Sequence, residues 1–219
     1  MANIIDYAEN EMARFDAKPV SAVDSLILSQ LAYINLLPVV PGTRRIEPAL
    51  RLGNLLQAEH FPQMFHQVRA AANNLRLLYA LAASPRFRDI GLNYFASERD
   101  LDEEKQFAAV TYILDDNLAY VAFRGTDATL LGWKEDFNMA FQSPVPAQQR
   151  AVDYLQAVAA AWPGDLLVGG HSKGGNLAIY AAVMSDPAVQ ERIRRVYSHD
   201  GPGFNEEFFA SPGFARMRD

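Results

Sequence analysis

Residues 166–182 read LLVGGHSKGGNLAIYAA, an apolar run followed by a glycine pair, a serine and an alanine-rich segment. The apolar run predicts a short buried strand, and residues 173–184 predict a helix. Between them, Gly170, Ser172 and Gly174 form the pattern G-x-S-x-G. Where a strand turns sharply into a helix, the serine takes a strained backbone conformation, and only small neighbours let the chains pass. The stretch therefore predicts a nucleophile elbow that presents a serine hydroxyl.

The segments around this stretch alternate between strand and helix. Residues 106–125 contain two runs rich in β-branched and aromatic residues around Asp-Asp-Asn, which predicts a hairpin. Residues 147–162 have the apolar spacing of an amphipathic helix, and residues 193–199, IRRVYSH, predict a further strand. This order is typical of an α/β fold with a mostly parallel central sheet flanked by helices.

The amino-terminal part of the chain has a helical pattern instead. Apolar residues spaced by three and four predict one helix over residues 21–37 and a second over residues 64–83. We therefore expect a single domain over residues 1–219. It has a mostly helical lead-in over residues 1–95 and a sheet core with the elbow over residues 96–219.

The composition limits the classes of partner and cofactor. The chain has 20 Lys and Arg against 26 Asp and Glu, a net charge of -6, and its basic residues are scattered, so we expect no nucleic-acid partner. It has no cysteine, which excludes disulfides and thiolate metal sites. No cluster of His, Asp and Glu has metal-ligand spacing, so we expect neither a metal nor another cofactor.

The amino terminus carries acids where a signal peptide would carry a basic segment, and no apolar run is long enough to span a membrane. We therefore expect a cytoplasmic chain. The loop NLLPVVP at residues 35–41 is the one segment whose apolar residues would suit an interfacial lid, and nothing else in the sequence supports a membrane contact. The sequence does not determine the oligomeric state.

Several segments resemble a known family. VAFRGT at residues 121–126, GWKEDF at 132–137 and GGHSKGGNLA at 169–178 resemble, in that order, the class 3 lipase branch of the α/β-hydrolases. The lysine after the serine, with HDGPGF at residues 199–204, resembles the bacterial Mbeg-like family within that branch, and residues 7–35 fit the same family. The resemblance implies an α/β-hydrolase fold and a serine esterase or lipase. Its substrate would be a small-molecule or lipid ester of a carboxylic acid.

The elbow and the resemblance together assign roles to individual residues. Ser172 is the predicted nucleophile, and the backbone N–H of Lys173, which opens the helix, is a predicted oxyanion donor. The resemblance places the second oxyanion donor at Thr126, directly after Arg-Gly, and makes Asp136 a structural brace. Three alternatives are open for Arg124. It could bond to Asp136, bond to loop carbonyls, or lie on a solvated face.

The general base and its acid are harder to find. In this fold the chain order is Ser, acid, His, yet the only histidine after Ser172 is His199, beside Asp200. His199 could itself be the base, and Asp200 could be the acid for a histidine elsewhere. We expect instead that both partners lie beyond Asp219, so that the chain is a carboxy-terminally truncated part of a longer protein.

Other interpretations of the same residues stay open at the level of sequence. Ser172 could merely cap the helix, and the chain could be a catalytically incomplete hydrolase scaffold that acts as a binding or interaction module. The Lys173 side chain could hold an acidic substrate group or a lid carboxylate, or it could lie on the surface. His171 is expected to point away from the serine side of the elbow, and His60 and His66 are expected to be solvated.

Overall fold

A computed structural model of the chain describes residues 2–40, 48–100, 105–126 and 144–218. Within these residues, six strands form one sheet in which the spatial order follows the chain order. The strands are β1 Leu50–Arg51, β2 Gly91–Asp100, β3 Lys105–Ile113, β4 Leu118–Phe123, β5 Asp165–His171 and β6 Ile193–His199.

The sheet is mixed, so the prediction of a mostly parallel sheet is wrong. Strands β1 to β4 pair antiparallel, whereas β4, β5 and β6 pair parallel. Short connections such as the one from β3 to β4 can only join antiparallel neighbours, and parallel pairing begins where helical crossovers follow β4. The sequence pattern identified the crossovers and the predicted hairpin, but it missed β2, which adds an antiparallel pairing.

Helices cover both faces of the sheet. On the amino-terminal side lie α1 Ile4–Asn10, α2 Ala22–Leu31, α3 Phe61–Met64 and α4 Ala71–Ala83, with short 3-10 turns at Leu52–Leu55 and Ala58–His60. Later in the chain follow α5 Pro146–Ala161, α6 Lys173–Met184, α7 Pro187–Gln190, α8 Glu206–Phe209 and α9 Pro212–Met217.

The residues of β4 show how the three layers pack. Tyr120 and Ala122 lie in one buried cluster with the amino-terminal helices, while Ala119, Val121 and Phe123 lie in the other with α5 and α6. Successive side chains of a strand point to opposite faces, so an almost uninterrupted apolar strand means that both faces are covered. The sheet is the middle layer, and each face has its own core.

The helices beside the elbow are confirmed, but those of the lead-in differ from the prediction. Helix α6 has the predicted bounds, and α5 is displaced by one residue. The helix predicted over residues 21–37 ends at Leu31, and the one predicted over residues 64–83 is broken between α3 and α4. Gln67 and Ala70 have φ of 56° and 53° there, and a left-handed residue interrupts the ladder of helical hydrogen bonds.

A buried ion pair fixes the amino-terminal layer. Asp24 accepts two hydrogen bonds of 2.7 Å from the guanidinium of Arg86, and both side chains are fully buried. Asp24 also forms a capping box with Ser21 at the start of α2, and the guanidinium stacks over Phe15. Burial by itself raises the pKa of Asp24, but the hydrogen bonds from Arg86 and Ser21 outweigh it, so the pKa lies below its usual value.

Candidate functional site

Ser172 lies in a sharp bend between β5 and α6. It has φ 56° and ψ -131°, a conformation that is strained for a residue with a side chain. Two backbone hydrogen bonds of 2.8 Å fix the bend: the Ser172 N–H donates to the His199 carbonyl, and the Gly175 N–H donates to the Ser172 carbonyl. The bend thus connects the ends of two parallel strands to the start of a helix.

The two glycines of the motif lie where backbones touch. A side-chain carbon added at Gly170 would overlap the carbonyl oxygen of Gly174. One added at Gly174 would overlap the carbonyl oxygen of Phe123, the last residue of β4. Because both obstacles are backbone atoms, no side-chain rotation could relieve the overlap. The close approach of β4, β5 and α6 at the serine therefore depends on these two residues.

Ser172 is half-buried and lines a cavity of about 1260 Å³. Although Ser172 occupies the N-cap position of α6, its side chain makes no capping hydrogen bond, so the helix-cap interpretation does not account for it. The hydroxyl is open to the cavity, as a nucleophile needs to be.

The cavity has two walls that come from different parts of the chain. We call the first the elbow wall; its described members are Ser97, Arg124, Thr126, His171, Ser172 and Asp200. The second, the N-terminal wall, consists of lining residues between positions 30 and 38 and between positions 62 and 70. Of the predicted site residues, the structure thus brings Ser172, Thr126, Arg124 and Asp200 together.

The candidate oxyanion donors lie on either side of the serine. Thr126 follows β4 and is half-buried in the elbow wall. The Lys173 amide is the first of α6, and the first amides of a helix have no acceptor within the helix and carry its positive dipole end. Both positions are at the carboxyl end of parallel strands, where open α/β sheets bind their ligands.

The Lys173 side chain does not lie on the surface, and that alternative is wrong. It is 1% exposed, and its Nζ donates a hydrogen bond of 2.8 Å to the carbonyl of Gln106 in β3. The aliphatic stem crosses the core beneath the elbow, so the ammonium is held away from the described cavity walls. Burial of Lys173 ties the start of α6 to the far side of β4.

His199 is bonded elsewhere than to the serine. Its Nε2 lies 2.8 Å from Ser25 Oγ in α2, and Ser25 Oγ lies 2.7 Å from the Tyr120 hydroxyl. Burial, and secondarily the charge of His171, lowers the pKa of His199. The imidazole therefore belongs to a buried polar network on the α2 face of the sheet. Only its carbonyl reaches Ser172.

Asp200 and Arg124 share the cavity with the serine. Asp200 is exposed and has φ 56°, an uncommon value that the following Asp-Gly turn requires. Arg124 is 8% exposed, so its predicted solvated face is wrong; it lies in the elbow wall next to Thr126. The predicted brace Asp136 lies outside the described residues.

Two site residues were not found from the sequence. His171 lines the cavity with Ser172 instead of pointing away, and its Nδ1 lies 3.0 Å from the hydroxyl of Tyr33. A side-chain carbon at Gly125 would overlap that hydroxyl, so Tyr33 from the lead-in reaches the end of β4. No local pattern signals this contact, because the partners are more than ninety positions apart.

Backbone strain is concentrated around the cavity. Within the described residues, five non-glycine residues have φ in the left-handed region, and four of them line it: Gln67, Ala70, Ser172 and Asp200. Residues held in such conformations cluster at functional sites because the surrounding structure must compensate for their cost. The strain lies on both walls, which marks the lead-in as part of the site.

His66, which is exposed, also lines the cavity.

Among the described residues, no group of three or more His, Asp and Glu is placed to hold a metal ion. In the same part of the chain, every helix is too short or too polar to cross a membrane.

The comparisons with known proteins agree with the lipase-like pattern of the sequence. The Mbeg1-like family matches residues 81–219, which is more than half of the chain and contains the whole elbow wall. No curated protein and no solved structure matches the chain. The chain therefore belongs to the Mbeg1-like family, a lipase-like family.

Proposed function

We propose that the protein is a serine hydrolase with an α/β-hydrolase fold that cleaves carboxylic esters through an acyl-enzyme on Ser172. The observation that carries the proposal is the strained bend at Ser172, which opens its hydroxyl to a cavity instead of using it as a helix cap. Strain at one serine between a strand and a helix is what a nucleophile elbow requires. The meeting of both walls in one cavity supports a single domain over residues 1–219.

In the proposed reaction, Ser172 Oγ attacks the ester carbonyl and gives its proton to a general base. The negative charge on the tetrahedral oxygen is stabilised by the amide of Lys173 and by Thr126. The carbon–oxygen bond then breaks, the alcohol leaves with the proton, and water releases the acid from the serine by the same steps.

The described histidines are not equally suited to be the general base that accepts the proton of Ser172. The His199 ring is bonded to Ser25 and does not line the described cavity, which makes it a poorer candidate than His66 and His171, which both line the cavity with the serine. Asp200 lines the same cavity and remains a candidate acid. Replacement of each histidine by glutamine, as His66→Gln and His171→Gln, separates the two candidates by their effect on ester turnover.

A second candidate function is a binding or interaction module on a hydrolase scaffold. It is favoured by one observation: among the described residues, no side chain hydrogen-bonds to the Ser172 hydroxyl, and the nearest downstream histidine bonds to Ser25. A serine without a base is a weak nucleophile near pH 7.

Labelling with a fluorophosphonate probe separates the two functions. We expect the wild type to be labelled and Ser172→Ala to lose at least about 1,000-fold in labelling rate, since the nucleophile itself is removed. The matched control is Ser97→Ala, which removes a hydroxyl from the same cavity but from an ordinary strand. Circular dichroism reports folding. An unlabelled but folded wild type favours the binding module.

A further inference from the structure

Many residues that line the cavity can form hydrogen bonds. Of its eighteen described lining residues, thirteen carry a polar group in the side chain. Polar groups that a bound ligand covers cost free energy unless the ligand pairs with them. A substrate with a polar group of its own can form such pairs with these walls.

The charge of the walls also differs from that of the chain. Overall, acidic residues outnumber basic ones, 26 to 20. The charged residues of the described cavity walls are Arg69, Arg124 and Asp200, and of the two arginines only Arg69 is exposed. Inside a partly enclosed cleft, an exposed positive charge attracts anions.

Arg69 is the cation of the N-terminal wall, and its backbone is held in place. The buried Asn74 donates a hydrogen bond of 2.9 Å to the Arg69 carbonyl and accepts one of 2.9 Å from Gln30 of α2. Gln67 and Ala70, the left-handed residues, lie on either side of it. The loop between α3 and α4 is thus fixed, while Arg69 itself is exposed and lines the cavity.

The guanidinium of Arg69 is not engaged by a carboxylate within the described part of the chain. Among the described acids, none forms an ion pair with Arg69. Asp200, the acid on the described walls, lies on the elbow wall. A guanidinium with its donors open to a cleft binds carboxylate or phosphate oxygens in a bidentate manner.

We propose that Arg69 binds an anionic group of the substrate, so that the ester cleaved at Ser172 carries a carboxylate or a phosphate. This inference rests on the proposed function, because it names the substrate class of the same site. It assigns the chemistry to the elbow wall and the choice of substrate to the N-terminal wall, which lies outside the residues that the family matches.

Binding of amide probes to the full chain tests this inference without turnover. In a Ser172→Ala background, calorimetry compares the monoanilide of glutaric acid and the anilide of 4-phosphonobutyric acid with the neutral anilide of pentanoic acid. We expect one or both anions to bind about tenfold tighter than the neutral probe, as a charge-assisted hydrogen bond provides. The stronger of the two anions identifies the group as carboxylate or phosphate.

The variant Arg69→Gln should abolish that preference while leaving the affinity for the neutral probe unchanged. The matched control is Arg76→Gln, which removes the same charge from an exposed position of α4 outside this cavity, and it should keep the preference. Equal affinities for anionic and neutral probes would overturn the inference. So would a preference that survives Arg69→Gln or is lost equally in both variants.

The outcome is independent of whether the protein is a hydrolase. Fluorophosphonate labelling of the wild type at Ser172 reports the hydrolase, and the anilides report the anion site. Labelling without an anion preference removes only the substrate class. An Arg69-dependent preference without labelling leaves an anion-binding cavity and removes the hydrolase.

Discussion

The two walls of the cavity are built in different ways. The elbow wall is positioned by backbone contacts between β4, β5 and α6 at Gly170 and Gly174, where any side chain would overlap a carbonyl. The N-terminal wall is positioned by side-chain hydrogen bonds of Asn74 to Gln30 and to the Arg69 carbonyl, and the layer behind it is held by the buried pair of Asp24 and Arg86. Backbone contacts allow almost no variation in geometry, whereas side-chain contacts can be exchanged. The proposed chemistry thus lies where the chain is least adjustable, and the proposed selection of substrate lies where it is most adjustable.

If side chains hold the amino-terminal layer, then Asp24→Asn should lower the free energy of unfolding more than the other substitutions considered below. The substitution leaves Arg86 buried without a counter-charge, so we expect a loss of about 3–5 kcal/mol in the free energy of unfolding. Chemical denaturation measures the loss, and hydrogen exchange locates it. Amide protection should fall more in α2 than in α6.

The same pair predicts a pH dependence with a defined sign. The pKa of Asp24 is lowered in the folded chain, so its contribution is complete above the unfolded value near 4 and is lost as the pH falls from there through the lower folded pKa. Asp24→Asn should lack that step.

The control for the stability loss is Arg194→Gln, which breaks the half-exposed pair with Asp165. It should lower the free energy of unfolding by less than about 1 kcal/mol. Equal losses in the two variants would contradict the special role of the buried pair.

The next substitution tests the backbone contacts that position the elbow wall. Gly174→Ala places a carbon against the Phe123 carbonyl, and we expect a loss of about 3 kcal/mol in the free energy of unfolding, the upper range for overpacking. Fluorophosphonate labelling of Ser172 should also be lost, because the bend must open. Gly203→Ala is the matched control, since a carbon there meets no atom within 4 Å. A stable, fully labelled Gly174→Ala variant would show that the elbow is not held by close backbone contact.

The smallest effect concerns the contact between the sheet core and the lead-in at which His199 of β6 meets Ser25 of α2. His199→Gln should cost about 1 kcal/mol in the free energy of unfolding at pH 8, the worth of one hydrogen bond. The lowered pKa of His199 means that folding favours the neutral ring, so wild-type stability falls as the pH drops through about 6.5. The difference between wild type and variant should therefore shrink at pH 5.5.

For this comparison, His66→Gln is the control, because His66 is exposed and lies outside the hydrogen bonds that join His199, Ser25 and Tyr120. Its stability should follow that of the wild type at both pH values. A gap between wild type and His199→Gln that stays constant from pH 8 to pH 5.5 would mean that the imidazole does not titrate within the network.

The elements that the sequence predicted well are those whose signals are local. Strand β5, helix α6 and the elbow between them follow from an apolar run, a glycine spacing and a helical period within about twenty residues. Strand β2 was missed because its pairing with β3 shifts between Asn93 and Ala96, and a bulge destroys the alternation by which a strand is recognised.

By itself, the sequence determined the serine, its two glycines and the strand-turn-helix that presents the hydroxyl, since steric limits on neighbouring residues act locally. Only the tertiary structure decided that Lys173 is buried, that His199 turns to Ser25 and that Arg69 shares a cavity with Ser172. These contacts join residues on different layers of the fold, many of them more than sixty positions apart. Their geometry is set by how the helices pack on the sheet, which no short stretch of chain specifies.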